Sequence, residues 1–255
     1  MSNKRKILNN LIIVIIFISI YAEKPAYIDY IGNKLSEIKS MEGVYTKEVF
    51  IGSEKIKTKI TFFDDKEKNK KHMTISDSKG IKNDIFIVND TLFVIDKMSK
   101  SIYFMGTDEY GEIGKKMFDI NVFESLSMLA QLKETDSISV AFDKNKKLCI
   151  NFVSDTSNLV YSNVIVRFNN DSLPELIEMY DWSMKVILQI HYTNYKDKLP
   201  REIRTLSNME DMVLEEKISI NKIKINSPIS AKNFEFSRKG YKILSLQDAM
   251  EPFIE

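Results

Sequence analysis

Residues 84–105 read DIFIVNDTLFVIDKMSKSIYFM, and this stretch decides the fold class. Asp84–Val88 and Thr91–Asp96 are short runs rich in β-branched and aromatic residues, set on either side of Asn89-Asp90. Asn and Asp tolerate the positive φ angles that a two-residue hairpin turn requires, so the stretch predicts a tight hairpin with Ser101–Met105 as the next strand. Working back toward the N-terminus, Ile56, Ile60 and Phe62 alternate with Lys57, Lys59 and Thr61 over Lys55–Phe62. That period of two marks a half-buried strand, entered through Gly52-Ser53, and residues 71–76 form another. Toward the C-terminus, Ile138–Phe142 and Leu148–Val153 flank the polar run Asp143–Lys147. Ser162–Phe168, Glu175–Tyr180, Lys185–Tyr195, Pro200–Leu206 and Val213–Ile225 follow as strands. Strands joined by short polar turns, with few helices between, imply an antiparallel meander rather than a parallel βαβ sheet. No internal repeat or low-complexity linker interrupts it, so residues 23–255 are expected to form a single domain.

Two segments carry helical spacing. Ile28, Ile31, Leu35, Ile38 and Met41 recur every three or four residues, and Gly43 is expected to end that helix. Behind the loop Gly106–Gly114, Asn121 and Glu124 form a capping-box pattern that opens a second helix over 121–133. Its line Phe123, Leu126, Ala130, Lys133 is widened by Val122, Met128, Leu129 and Leu132. An apolar sector that broad asks for burial on most sides, and such a helix can plug or cover the concave side of a curved sheet.

The N-terminus has the grammar of export. Lys4, Arg5 and Lys6 precede the apolar run Leu11–Ile18, then Ser19, Ile20, Tyr21 and Ala22 lead into Glu23, Lys24 and Pro25. A charged head, a short apolar middle and a small final residue make a signal peptide over 1–22, which places the mature chain in the periplasm or cell envelope. Ile20, where a small residue is usual, leaves an uncleaved inner-membrane anchor as the alternative.

Hydrophobic residues make up 44% of the chain, enough for a sizeable core. The 37 Lys plus Arg balance 36 Asp plus Glu, which gives no basic surface for nucleic acid. Cys149 is the single cysteine, so no intramolecular disulfide can form. His72 and His191 belong to no metal-ligating spacing, and Cys149 alternates with Leu148 and Ile150 as a small strand residue. The chain has no GxSxG, GxGxxG or P-loop, and Gly106, Gly111 and Gly114 are too loosely spaced for a nucleotide fingerprint. These residues point to no enzyme, no cofactor and no metal.

Apolar side chains at alternating positions remain. Ile138/Val140/Phe142, Leu148/Ile150/Phe152, Val164/Val166/Phe168 and Val186/Leu188/Ile190/Tyr192 each define one face. Such faces serve either as a packed core or, in a sheet that curls without closing, as a concave wall for an apolar ligand. On the second reading the cavity residues are Ile60 and Phe62, then Val140, Phe142, Ile150 and Phe152. Val164, Val166, Phe168, Leu188 and Ile190 continue the wall, and Phe123, Leu126 and Leu129 form the lid.

The order of elements resembles a known group. The signal, the first helix, MEGVYTKEVF (41–50), IFIVNDTLFVID (85–96) and SIYFM (101–105) are similar to the bacterial outer-membrane lipoprotein carriers, the LolA/LolB-like superfamily. Asn89, Asp90, Leu92 and Asp96 stand where that family's hairpin carries its own motif. SLPELIEMYDWSMKVILQIHYTNYK (172–196), LPREIRTLSNMEDMVLEEKISINKIKIN (199–226) and ISAKNFEF (229–236) look like the related lipoprotein-sorting proteins, so the resemblance spans most of residues 28–237. It implies mainly antiparallel β with helices: a curved, incomplete β-barrel of about eleven strands with a helical lid around a pocket for lipoprotein acyl chains. It also implies a monomer that meets an inner-membrane donor and an outer-membrane acceptor. The carriers proper have an Arg-Pro pair on an early strand, whereas residues 60–76 here contain neither residue type. No lid-binding arginine can therefore be carried over, and the resemblance implies a divergent member. A non-carrier interaction or sensor module of the same fold is the alternative.

Overall fold

The computed structural model describes residues 26–106, 122–131, 136–143, 147–154, 161–209 and 212–246. Helix α1 (Ala26–Ser36) leads into β1 (Ser40–Ile51), β2 (Glu54–Asp65), β3 (Lys70–Ser76), β4 (Lys82–Val88), β5 (Thr91–Asp96) and β6 (Ser101–Gly106). Helix α2 (Glu124–Gln131) follows, then β7 (Asp136–Phe142), β8 (Leu148–Ser154), β9 (Asn163–Phe168) and β10 (Pro174–Tyr180). The long strands β11 (Val186–Lys196), β12 (Leu199–Met209) and β13 (Met212–Ile225) precede a short 3-10 turn (Ala231–Phe234) and β14 (Lys242–Ser245).

The strand order is β14-β6-β5-β4-β3-β2-β1-β13-β12-β11-β10-β9-β8-β7. Consecutive strands neighbour one another except where β1 pairs with β13 and where β14 adds in parallel to β6. The order has two ends, so the sheet is open, and the fold class is the expected one: mainly antiparallel β with few helices. Fourteen strands are described where the resemblance implied about eleven. The additions to the strands read from periodicity are β1 and β14.

The chain forms two compact units. The first gathers described residues within Met1–Leu35, Glu124–Pro200 and Thr205–Val213; the second gathers those within Ser36–Phe123, Arg201–Arg204 and Leu214–Glu255. In the second unit, Asn89 and Asp90 have φ of 51° and 57°, the pair of positive angles of a type I′ turn, as their identity predicts. The first helix departs from expectation. It stops at Ser36, and Met41 already lies on β1, paired with Asp64 on one side and Ile225 on the other. Helical spacing at Ile38 and Met41 lost to pairing, because β1 has a partner strand on both edges along almost its whole length. Gly43 is thus no helix stop. A Cβ built there would lie 2.4 Å from the Lys222 carbonyl oxygen and 3.0 Å from the Phe62 ring, so glycine is the residue that lets this strand lie flat on its neighbours. The core of the unit runs through Phe86, Ile95 and Ile102, against which Val88, Phe93, Phe236 and Tyr241 pack.

In the first unit, α1 is held against the β11–β12 turn. Lys34 donates to Tyr30 Oη at 3.0 Å and to the Asp197 carbonyl at 3.2 Å, while the Lys198 ammonium sits 4.6 Å from the Tyr30 ring centroid. Among the described residues no helix is long and apolar enough to cross a membrane.

Candidate functional site

Register, more than any single residue, builds the apolar face of the first unit. Val140 stands opposite Ile150, Ile150 opposite Val166, Val166 opposite Ile177 and Ile177 opposite Ile190. A second row runs Ile138, Phe152, Val164, Met179, Leu188. Two residues separate the rows along each strand, so from β8 to β11 both point to one side of the sheet. Sliding any strand by one position would exchange these side chains for a set that includes Asn151, Arg167, Glu178 and Gln189, which is why the pattern specifies its own register.

Ile150, Phe152, Val164, Val166, Phe168, Ile177 and Ile190 are all 3% exposed or less, and Leu188 is half-buried. Leu126 and Leu129 of α2 are fully buried in the same unit, as the broad apolar sector of that helix predicts. The described part of α2 starts at Glu124, behind a turn at Val122 and Phe123; Asn121 and residues 132–135 of the expected 121–133 lie outside the described residues. The backbone of Val140 and Phe142 is described, while their side chains are not. The remaining expected positions, Ile60, Phe62 and Phe123, are buried in the second unit, where Phe62 packs against Tyr45 at 5.8 Å between ring centroids.

The opposite side of the first unit's strands carries a polar cluster beside Ile165 and Val153. Arg167 reaches the buried Glu178 at 2.7 Å, Gln189 donates to the same carboxylate at 2.9 Å, and Tyr180 Oη donates at 3.3 Å. A buried carboxylate with three partners is a satisfied one, so this cluster costs the fold little and leaves the apolar rows undisturbed. Cys149 pairs with Arg167 across β8 and β9. Burial and then the nearby Asp143 charge push its thiol pKa up from the ordinary value, the reverse of what an activated nucleophile needs.

His72 lies in the second unit, stacked 4.0 Å from the Phe86 ring and 5.7 Å from Phe63. Its Nε2 is 3.6 Å from Asp84 Oδ1, and Asp84 also receives Thr74 Oγ1 at 2.7 Å and faces the Lys97 ammonium. Burial pushes the Asp84 carboxyl up, but the neighbouring His72 ring, the hydrogen bonds from Lys97 and Thr74 and the Lys97 charge outweigh it and hold the group well below the usual carboxylate range. No group of three or more His, Cys, Asp or Glu among the described residues is placed to hold a metal. Sequence reasoning missed the ring cluster Phe86, Phe93 and Phe236, whose one available signal was the alternation of phenylalanines in Asn233-Phe234-Glu235-Phe236 after a long polar strand.

No protein-family model matches the chain, and no curated protein matches it by sequence. Solved structures do. The chain is similar to a LolA-superfamily protein from Nitrosomonas europaea, at 10% identity and a TM-score of 0.45 over 84% of this chain and 99% of that one. A DUF1329-family protein from Desulfovibrio piger matches at 9% identity and a TM-score of 0.48, over 84% and 98% of the two chains. A putative outer-membrane lipoprotein-sorting domain from Vibrio parahaemolyticus matches at 12% identity and a TM-score of 0.45, over 82% and 95%. These are likenesses of fold.

Proposed function

We propose that this protein is an exported envelope protein that binds an apolar chain, a lipoprotein's acyl anchor or another lipid, on the two-row face of the first unit, with α2 as its cover. The observation that carries the reading is the register: both rows contain only apolar residues across β7–β11, while Arg167, Glu178 and Gln189 of the same strands occupy the other side. Affinity on such a wall is hydrophobic. Each buried methylene contributes roughly 0.8 kcal/mol, so ten of them supply about 8 kcal/mol against the cost of ordering chain and protein. Reversible binding without catalysis is the expected chemistry, and a carrier needs no more.

In this reading residues 1–22 direct export and are removed, the mature chain works in the periplasm as a monomer, and it takes lipoproteins from an inner-membrane donor to an outer-membrane acceptor. The wall comprises Val140, Phe142, Ile150, Phe152, Val164, Val166, Phe168, Leu188 and Ile190, with Leu126 and Leu129 over it. Protein recovered from its native envelope under mild conditions is extracted and analysed by mass spectrometry. A stoichiometric acylated species supports the proposal; protein that is lipid-free and fails to take up a fluorescent fatty acid overturns it. A second reading is an interaction module of the same fold with the wall permanently filled. It is favoured by the near-complete burial of the described wall residues by protein atoms, and lipid-free protein that captures an envelope protein partner would establish it.

A further inference from the structure

The second unit has an open cleft of about 440 Å³, lined by Val88, Asn89 and Thr91 at the β4–β5 turn, by Phe93, and by Phe234, Glu235, Phe236 and Arg238 of the segment that follows the 3-10 turn. Its volume falls in the range of small-molecule sites, roughly 300–1,000 Å³. The floor is aromatic and rigid: Phe236 lies 4.7 Å from Phe86 and 5.0 Å from Phe93 between ring centroids. On that floor the Arg238 guanidinium carbon sits 5.3 Å from the Phe93 centroid and 5.9 Å from that of Phe236. Cation–π contact holds the guanidinium over these rings while leaving donors available. Among the described residues, neither the side chain of Arg238 nor that of Glu235 has a hydrogen-bond or ion-pair partner, although both residues line the same cleft.

We propose that this cleft binds the head of a zwitterionic phospholipid-type amphiphile: the phosphodiester on Arg238, the ammonium on Glu235, and the first methylenes along Val88, Phe93 and Phe236. The argument is charge complementarity. One pre-oriented cation and one carboxylate, unpaired with each other and set around an apolar floor, match a ligand that carries both charges beside a hydrocarbon chain. Guanidinium engages phosphate in a bidentate manner, and a head bearing only negative charge would meet Glu235 unfavourably. The site lies wholly in the second unit and does not depend on the acyl-binding face proposed above.

The test uses the mature chain and dihexanoyl phosphatidylethanolamine below its critical micelle concentration, with dihexanoyl phosphatidylglycerol as the head lacking an ammonium. Titration followed by NMR is expected to shift the amides of Asn89, Thr91 and Arg238, with the ethanolamine lipid bound several-fold more tightly. Arg238→Gln should weaken it about tenfold, as loss of a charge-assisted pair requires. Arg238→Lys, which keeps charge but not the planar fork, should fall between. Glu235→Gln should bring the two lipids to parity. Because both side chains are exposed, all three variants should keep the wild-type thermal midpoint and fatty-acid uptake. Equal affinity for the two lipids in the wild type, wild-type affinity in Arg238→Gln, or no binding at millimolar lipid would each overturn the proposal.

Discussion

Leu126→Glu and Leu129→Glu distinguish a movable cover from a fixed core. Both side chains are fully buried on an eight-residue helix. If α2 is fixed, each substitution loses the transfer free energy of a buried leucine, about 1.5–3 kcal/mol, and adds the cost of an unpaired carboxyl, about 2 kcal/mol or more even when that group stays neutral. The sum, about 3.5–5 kcal/mol, is a large share of the ~5–15 kcal/mol that stabilises a typical domain. At about 2–4 °C per kcal/mol for a chain of this size, the thermal midpoint would fall by about 7–20 °C. A cover that swings out lets the introduced carboxyl reach water, which leaves at most the lost leucine contact, a fall of about 3–12 °C that does not change between pH 7 and pH 5. Fatty-acid uptake would then be lost with that smaller, pH-independent fall. Calorimetry at pH 7 and pH 5 adds a sign check. A buried carboxyl has a raised folded pKa, so its penalty is greater at the higher pH and shrinks as pH falls. Midpoints that collapse in both variants and rise in part at pH 5 would refute the cover and make α2 ordinary core.

Three further outcomes follow from particular contacts. Gly43→Ala places a methyl 2.4 Å from the Lys222 carbonyl oxygen and should destabilise the second unit by about 1–3 kcal/mol, read as a lower denaturation midpoint; an unchanged midpoint would mean that β1 and β13 shift apart freely. Asp84 has a depressed folded pKa, so its contribution to stability is full above the unfolded carboxylate value of about 3.9 and is lost as pH falls below it. Asp84→Asn should lower stability at neutral pH and flatten the acid limb between pH 4 and pH 2, checked by denaturant titration across that range. Cys149→Ser should retain ligand uptake, and the wild-type thiol should react slowly with a disulfide reagent at pH 7, since burial raises its pKa; fast labelling would contradict that assignment.

The strands other than β1 and β14, their antiparallel meander and the Asn89-Asp90 hairpin were legible in the sequence, because period-two burial and turn chemistry are local and each strand carries its own record of which side faces inward. Leu126 and Leu129 were legible for the same reason on a helical period. The limit of α1 was not. Ile38 and Met41 satisfy a helical spacing, yet β1 claims Met41 because β2 and β13 supply hydrogen-bond partners from 23 and 184 residues away, at Asp64 and Ile225. Nor could local pattern reveal that Gly43 answers to Lys222, since that need arises only where two distant backbones meet. The candidate wall divides in the same way. Alternation identified Ile150, Val166 and Ile190 one strand at a time, and only pairing lined them up in a row and added Ile177 and Met179 from β10. Ile60, Phe62 and Phe123 carry the same apolar signature but belong to the second unit, because hydrophobicity states that a side chain is buried and tertiary contact decides with whom.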